Sequence, residues 1–486
     1  MHLKTLTKTQ KESSAVTAAK QLPQVQIVKK ARMTLIKSIS GIRGTLENIP
    51  GDSLSDIDVQ QFTLAYFQEI ILPRDVKLVV VGRDARKSGK KISDIVIKTL
   101  SEEGCDVIDI GMVTTPSLGI YTKKIKASGG IMISASHNDE KWNALKLLNH
   151  RGEFLSPEKV SLVIRDETRK KTVTNEKGKV TNYSNALRDH IELILSQSIL
   201  LPNKIKERNF KVAVDGINSV GGIALPAFLR SLGIEQIHEI NCEPNGQFAH
   251  NPEPLPENIT EICDVIKRGD YDLGLVVDPD ADRLCLVDER GVPFGEEYTL
   301  VAAAEFLISE LKVPVTCSNL SSSLALKKIT EKRGGSYYSS PVGEINVVEK
   351  MKKFNAAIGG EGNGGVIYPK THYGRDSLIG TGMILSILAK REVSLSELKN
   401  SLPSFYITKT KTKFQGSLNQ VIDNFKKEFS NEKIDLQDGI RIDFDNSWVH
   451  VRKSNTEPVM RIISEAETIE KSEELSNKII SKLQLL

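Results

Sequence analysis

The chain reads as an α/β protein, with three α/β domains followed by a smaller α+β domain. Short apolar runs alternate with amphipathic ones from about residue 33 to residue 400, the pattern of strands and helices stacked in α/β layers. The 486 residues are too many for one ordinary core and ask for three or four. Past residue 400 the cadence changes, with strand-like segments around 439–451 and 459–464 and a terminal helix from about 470. The division that follows is 33–178, 179–292, 293–400 and 401–486.

Residues 1–32 stand apart: rich in Lys, Thr, Gln and Ser, with Glu12 the only acidic residue and no secretory apolar core. They read as a disordered tail or an overextended start, with Met33 as the functional beginning. The apolar run Met33–Ile39 leads into Ser40-Gly-Ile-Arg-Gly-Thr45, where two glycines around Arg43 allow tight turning beside a cleft. A helix over 55–71 follows, with Ser55 and Asp58 placed for a capping box. Lys77–Val81 is a buried strand, and Gly82-Arg-Asp-Ala-Arg-Lys-Ser-Gly89 follows it; Arg83 and Arg86 there could form ion pairs, orient a neighbouring strand or bind phosphate. A helix over 90–102, a strand over Val107–Ile110 and a helix over 116–127 lead to the apolar strand before Ser134.

The weakly periodic stretch 151–185 reads as packing helices or a linker. Phe210–Val214 starts the next strand, 223–232 its helix, and the Pro- and Asn-rich segment 245–258 an ordered crossing loop. A helix over 259–268 feeds the strand Tyr271–Val277, then Asp278-Pro-Asp-Ala-Asp-Arg283, the strand Leu284–Val287 and a helix after Gly295. Strand and helix signals recur through 297–360.

Composition narrows the function. Hydrophobic residues at 39% and charged residues at 26% are globular values. With 66 basic against 62 acidic residues the net charge is only +4, which gives no case for nucleic acid but leaves local anion sites open. The five cysteines are scattered without metal-ligand spacing and sit mostly in apolar segments, as buried thiols of a reducing cytosol would. No apolar stretch is long enough to span a bilayer.

Chemistry collects in four places. In Ser134-Ala-Ser-His-Asn138 a hydroxyl sits where a strand runs out into a turn, a place to hold or carry phosphate, although such clusters also serve as caps and turns. Asp278, Asp280 and Asp282 alternate, so three carboxylates can converge at a strand end. Crowded negative charge needs a cation, and hard oxygen ligands favour Mg²⁺; the competing reading is an acidic turn. Arg452-Lys-Ser-Asn-Thr-Glu-Pro458 offers a guanidinium fork with Ser454, Asn455 and Thr456 to surround a phosphate. Gly359-Gly-Glu-Gly-Asn-Gly-Gly365 is neither a nucleotide nor a dinucleotide loop, and its Glu361 is better suited to sugar hydroxyls than to phosphate.

From Met33 to the C-terminus, this ordered set resembles the α-D-phosphohexomutase superfamily, in the branch of phosphoglucosamine mutases and phosphomannomutase/phosphoglucomutase enzymes. Ser40-Gly-Ile-Arg-Gly44 and Gly82–Gly89 agree with it. The resemblance implies a heart-shaped, four-domain fold around one cleft, the first three domains being related, and a monomer or homodimer. It implies that Ser136 is carried as phosphoserine and holds Mg²⁺ through its phosphate together with Asp278, Asp280 and Asp282. It implies that Arg43 and Lys146 assist beside the serine, and that Arg283 organises the metal loop; His137, a catalytic candidate, could bond the phosphorylated serine or its neighbours, or simply stabilise the turn. Glu361 and Asn363 would contact the sugar, with help from Ser340–Glu344, and Arg452, Ser454, Asn455 and Thr456 would clamp the distal phosphate. A bisphosphosugar would be both intermediate and activator.

Asp139, Ala144, Asn363 and Lys453 depart from residues common in that family, without removing an essential group. The sequence reading is a phosphoglucosamine mutase, since a carboxylate at Glu361 would favour the ammonium of an amino sugar. The alternative is a phosphomannomutase/phosphoglucomutase. A kinase lacks its nucleotide cradle, a phosphatase would not need the distal clamp, and the intact Ser136, aspartates and Lys146 weigh against an inactive binding protein.

Overall fold

The computed structural model describes residues 33–165, 168–171, 176–414, 416–453 and 459–484. The N-terminal segment 1–32 and the clamp residues Ser454, Asn455 and Thr456 lie outside the described residues. Four sheets follow one another along the chain.

The first contains β1 (Ile36–Ser38), β2 (Gly41–Thr45), β3 (Leu78–Arg83), β4 (Asp106–Met112), β5 (Gly129–Ile133), β6 (Trp142–Asn149) and β7 (Val180–Asn182). Their order is β1-β2-β6-β5-β3-β4-β7, so this sheet runs on past residue 178 to include β7. The second holds β8 (Lys211–Asp215), β9 (Gln236–Ile240), β10 (Leu273–Val277) and β11 (Leu284–Asp288), in the order β11-β10-β8-β9. The third holds β12 (Val315–Asn319), β13 (Ser336–Ser340), β14 (Ile358–Glu361) and β15 (Gly365–Ile367), in the order β13-β12-β14-β15. The fourth is antiparallel: β16 (Tyr406–Lys413), β17 (Lys433–Asp435), β18 (Ile440–Asp443), β19 (Trp448–Lys453) and β20 (Val459–Ala466), in the order β16-β20-β19-β18-β17.

The first three sheets share a plan. In each, a run of parallel strands, four in the first sheet and three in the others, ends in a strand that turns back as an antiparallel hairpin: β5 into β6, β10 into β11 and β14 into β15. β5, β10 and β14 are buried at every residue, which is why they read as continuous apolar or glycine runs instead of alternating ones. The second and third domains also share one hydrophobic core, from Phe228 and Leu275 to Leu300 and Ile384. The helix Ser377–Arg391 passes through this core, buried along nearly its whole length. That continuity holds the β10–β11 and β14–β15 hairpins rigidly to one another.

Two assignments change. β6 is absent from the sequence reading because buried Asn143 and Lys146 break its apolar run. The segment 439–451 is two strands, not one: Phe444 N–H donates to the Ser447 carbonyl at 2.9 Å, and Asp445-Asn446-Ser447 closes the turn. The capping box at Ser55 and Asp58 forms, although the helix runs from Asp56 to Tyr66 and widens into a π-turn to Ile71. Four of the five cysteines are buried and the fifth, Cys242, is partly so; all are free. Among the described residues no helix is long and apolar enough to cross a membrane.

Candidate active site

The three equivalent hairpin turns meet. The β5–β6 turn carries Ser136, the β10–β11 turn the three aspartates, and the β14–β15 turn Glu361 and Asn363.

Ser136 is buried, with φ +51°, a left-handed backbone that a non-glycine residue adopts only when its surroundings hold it there. Arg86 does much of that holding. Its Nη2 donates to the carbonyls of Ser136 and Asn138, both at 2.6 Å. Its Nη1 donates to the carbonyls of Asp139 and Trp142, the latter at 3.1 Å. Its Nε donates to Asp84 Oδ2 at 3.0 Å. One planar guanidinium thus staples the whole turn, and of the roles open to Arg86 the structure supports orientation. With this backbone fixed, Ser136 Oγ donates to Asp278 Oδ2 at 2.6 Å.

Asp278, Asp280 and Asp282 are fully buried, and one oxygen of each lies within 4.8 Å of the others. Asp278 Oδ1 accepts from the backbone N–H of Asp282 and of Arg283, both at 3.2 Å, which folds the loop back on itself. Asp280 Oδ1 and Asp282 Oδ1 are buried without a hydrogen-bond partner. Orphaned buried carboxylate oxygens are costly unless a cation faces them, so three hard-oxygen donors at this spacing fit Mg²⁺. Burial first, then Asp282 and Asp280, pushes Asp278 up to about 7. Burial also works against the charge of Asp282, but Arg375, Lys146 and Arg283 outweigh it and hold that carboxyl below its usual range.

Lys146 reaches the aspartates from β6, opposite Met132 of β5. Its Nζ lies 2.5 Å from Asp280 Oδ2 and 3.6 Å from Asp282 Oδ2. Burial opposes its charge, yet Asp280 and Asp282 raise it above the ordinary lysine value, so it stays an ammonium. Thr115 also bonds Asp280, through its hydroxyl to Oδ2 and through its N–H to the carbonyl at 3.0 Å.

Arg283 Nη2 lies 3.0 Å from His137 Nδ1. Arg283 first, and burial second, pushes His137 well below the imidazole range, so the ring is neutral. It accepts at Nδ1, which places its own proton on Nε2. Arg43, on β2, donates to Asn138 Oδ1 at 3.3 Å. It also lines a cleft of about 280 Å³ with Lys37, Val342, Gly343, Arg452 and Arg461. Arg452 Nε sits 3.2 Å from Asp438 Oδ2, an oxygen that also accepts from Val342 N–H at 3.2 Å. Arg452 therefore lines the same cleft as Arg43.

Glu361 is almost fully engaged. Oε1 accepts from Asn319 Nδ2 at 2.9 Å and Gly343 N–H at 3.1 Å, and Oε2 from Arg375 Nη1 at 2.9 Å. Asn363 follows in the turn, with a buried Oδ1 that has no partner. The sequence reading passed over Arg375, which bonds Asp282 Oδ2 through Nη2 at 2.7 Å and faces Glu344 Oε2 from Nε at 3.0 Å. Its local signal, Gly-Arg-Asp ahead of a helix, is a capping pattern with no mark of a site. Asn319 and Thr115 carried no signal.

Four family models match in order. Those for the α/β/α domains I, II and III of phosphoglucomutase/phosphomannomutase cover residues 36–174, 188–291 and 295–406. The model for its C-terminal domain covers 411–482. A phosphoglucomutase/phosphomannomutase of Thermococcus kodakarensis is 36% identical over 407 residues, 82% of this chain and 88% of that one. A probable phosphoglucosamine mutase of Methanopyrus kandleri is 31% identical over 409 residues, 83% of this chain and 89% of that one. The fold is also that of a phosphoglucomutase/phosphomannomutase family protein from Burkholderia thailandensis, with TM-score 0.79 and 24% identity over 93% of this chain and 98% of that one.

Proposed function

The chain belongs to the phosphoglucomutase/phosphomannomutase family, and from that premise we propose that it interconverts the 1- and 6-phosphates of glucose or mannose by way of Ser136. It is an enzyme of the phosphohexomutase type, acting on sugar phosphates. The observation that carries the proposed route is the 2.6 Å bond from Ser136 Oγ to a buried aspartate, in a turn braced at four carbonyls.

In this reading the phosphoryl group passes from Ser136 Oγ to the free hydroxyl of a sugar phosphate. The P–Oγ bond breaks, a P–O bond to the sugar forms, and the hydroxyl proton ends on the released Ser136 Oγ. The bisphosphosugar turns over in the cleft and returns its other phosphate to Ser136. Asp278, Asp280 and Asp282 would hold Mg²⁺, which supplies positive charge against the transferring group. Lys146, held as an ammonium, adds charge from the side of β6. Arg283 fixes the neutral His137 beside the serine, Glu361 and Asn363 face the sugar, and Arg43 and Arg452 line the distal cleft.

The preference for glucose or mannose over glucosamine rests on Glu361. A free carboxylate would favour the ammonium of an amino sugar, but here both oxygens are engaged and the charge is paired with Arg375. A carboxylate whose oxygens already accept three hydrogen bonds, one of them from a guanidinium, has little acceptor capacity left for an ammonium's several donors, yet it can still accept from a single sugar hydroxyl. The glucosamine reading keeps the support of relatives named for it. The test is a competition on phosphorylated enzyme with Mg²⁺ and a bisphosphosugar activator, comparing kcat/KM for glucose, mannose and glucosamine 1-phosphates. A free carboxylate's charge-assisted bond would be worth roughly 1.5–3 kcal/mol, about a tenfold or greater preference for the amino sugar, and with that bond lost glucose or mannose phosphate is expected to be turned over at least as well as glucosamine phosphate. A tenfold win for glucosamine phosphate overturns the preference, and no turnover of any of the three overturns the route.

A further inference from the structure

Arg375 is held by its own backbone before it touches the site. The next residue, Asp376, caps the helix Ser377–Arg391 and accepts from His190 at 2.9 Å; His190 in turn lies 2.9 Å from Ser117 Oγ in the first domain. Its side chain runs past Gly365, where an added Cβ would come within 2.3 Å of Arg375 Cδ. From this fixed stem the guanidinium meets three carboxylates from three separate segments: Asp282 at 2.7 Å, Glu361 at 2.9 Å and Glu344 at 3.0 Å.

These partners are not equivalent. Asp282 has other cations nearby, Lys146 at 3.6 Å and Arg283 at 3.9 Å. The remaining partners of Glu361 are neutral, a side-chain amide and a backbone N–H. We propose that Arg375 is a positioning residue that couples the metal loop to the sugar-facing carboxylate, because Asp282 and Glu361 share its one guanidinium. A divalent cation at the three aspartates replaces the charge Arg375 lends to Asp282 and lets the guanidinium lean toward Glu361. Conversely, loss of its hold on Glu361 turns Arg375 onto Asp282, where it competes with the metal. A planar fork can span the two carboxylates, whereas a lysine ammonium is a single point and cannot.

The inference rests on the reading of the aspartates as the metal site, and Mn²⁺ binding without sugar, followed by electron paramagnetic resonance, tests both. Glu361→Asp keeps the charge, touches none of the three aspartates, and shortens the side chain away from Arg375. It should weaken Mn²⁺ binding about three- to tenfold in the otherwise unchanged enzyme, and less than about twofold in an Arg375→Lys background, as expected of residues sharing one network. An equal effect in both backgrounds, or none in either, overturns the coupling. Should Arg375→Lys fail to fold, Glu344→Asp supplies a second measurement: it should weaken Mn²⁺ binding in the same sense, and unchanged binding overturns the proposal. Unaltered enzyme that binds no Mn²⁺ overturns the metal reading, and the coupling falls with it.

Discussion

Replacing Arg86 by lysine keeps one positive charge beside Asp84 and removes the fork that braces the Ser136 turn. The guanidinium makes five hydrogen bonds, four to carbonyls of Ser136, Asn138, Asp139 and Trp142 and one to Asp84. An ammonium has three donors radiating from one atom, so at least two of the five are lost. Hydrogen bonds from a charged donor contribute roughly 1.5–3 kcal/mol each, and some relaxation is expected, so the turn should loosen by about 3 kcal/mol. That corresponds to roughly a hundredfold faster local opening. A displacement of Ser136 by about an ångström from Asp278 should also lower turnover by about a hundredfold. The assay pairs hydrogen–deuterium exchange of the peptide spanning 134–146 with steady-state kcat. Exchange in the fourth domain should stay unchanged, since all five of these hydrogen bonds lie within the first domain. Exchange and kcat both within about threefold of the parent enzyme would refute the idea that Arg86 positions the turn.

Ser136→Ala should abolish turnover while the protein melts within a few degrees of the parent, because one hydroxyl leaves and no core volume is lost; intact-mass measurement should show phosphate on the parent only. Asp280→Asn should weaken Mg²⁺ dependence at least about tenfold, with distal sugar-phosphate binding little changed, since Lys146 and Thr115 lose an anionic partner at the metal end; unchanged metal dependence would make this an acidic turn. His450, between the third and fourth domains, accepts or donates to Ser321 Oγ at 2.9 Å and faces the Asp438 carbonyl, and burial first pushes it down from near 6.5 to about 4. The unfolded chain therefore binds the extra proton between those values, so this contribution is complete above pH 6.5 and is lost as pH falls toward 4. The loss is at most about 3 kcal/mol. Thermal unfolding from pH 7 to 4 should show it, and His450→Gln should flatten that limb of the profile.

Much of the site could be read along the chain because its chemistry lies in short runs. Asp278, Asp280 and Asp282 occupy one loop, Ser136 follows an apolar strand, and Glu361 sits between glycines that mark a tight turn. The strands are readable where burial on both faces makes them continuous, as at Leu273–Val277, and unreadable where buried polar Asn143 and Lys146 sit inside β6. Lys146 breaks the hydrophobic period because its partners, Asp280 and Asp282, lie in another domain, and Asn143 because it bonds Ser88, far along the chain in its own domain.

What the sequence determines by itself is the set of turns and the chemical groups they carry, since strand propensity, glycine and clustered carboxylates are local properties. Only the tertiary structure decides which groups meet and in what charge state. Lys146 is held as a cation by Asp280 across 134 residues of chain, and His137 is neutral because Arg283 stands against it. Arg375 binds Asp282 and Glu361 at once, from a loop whose own residues advertise only a helix cap. Pairing energies depend on distance and burial between segments remote in sequence, and neither quantity exists until the β10–β11 and β14–β15 turns are joined by their shared core and the β5–β6 turn docks against them.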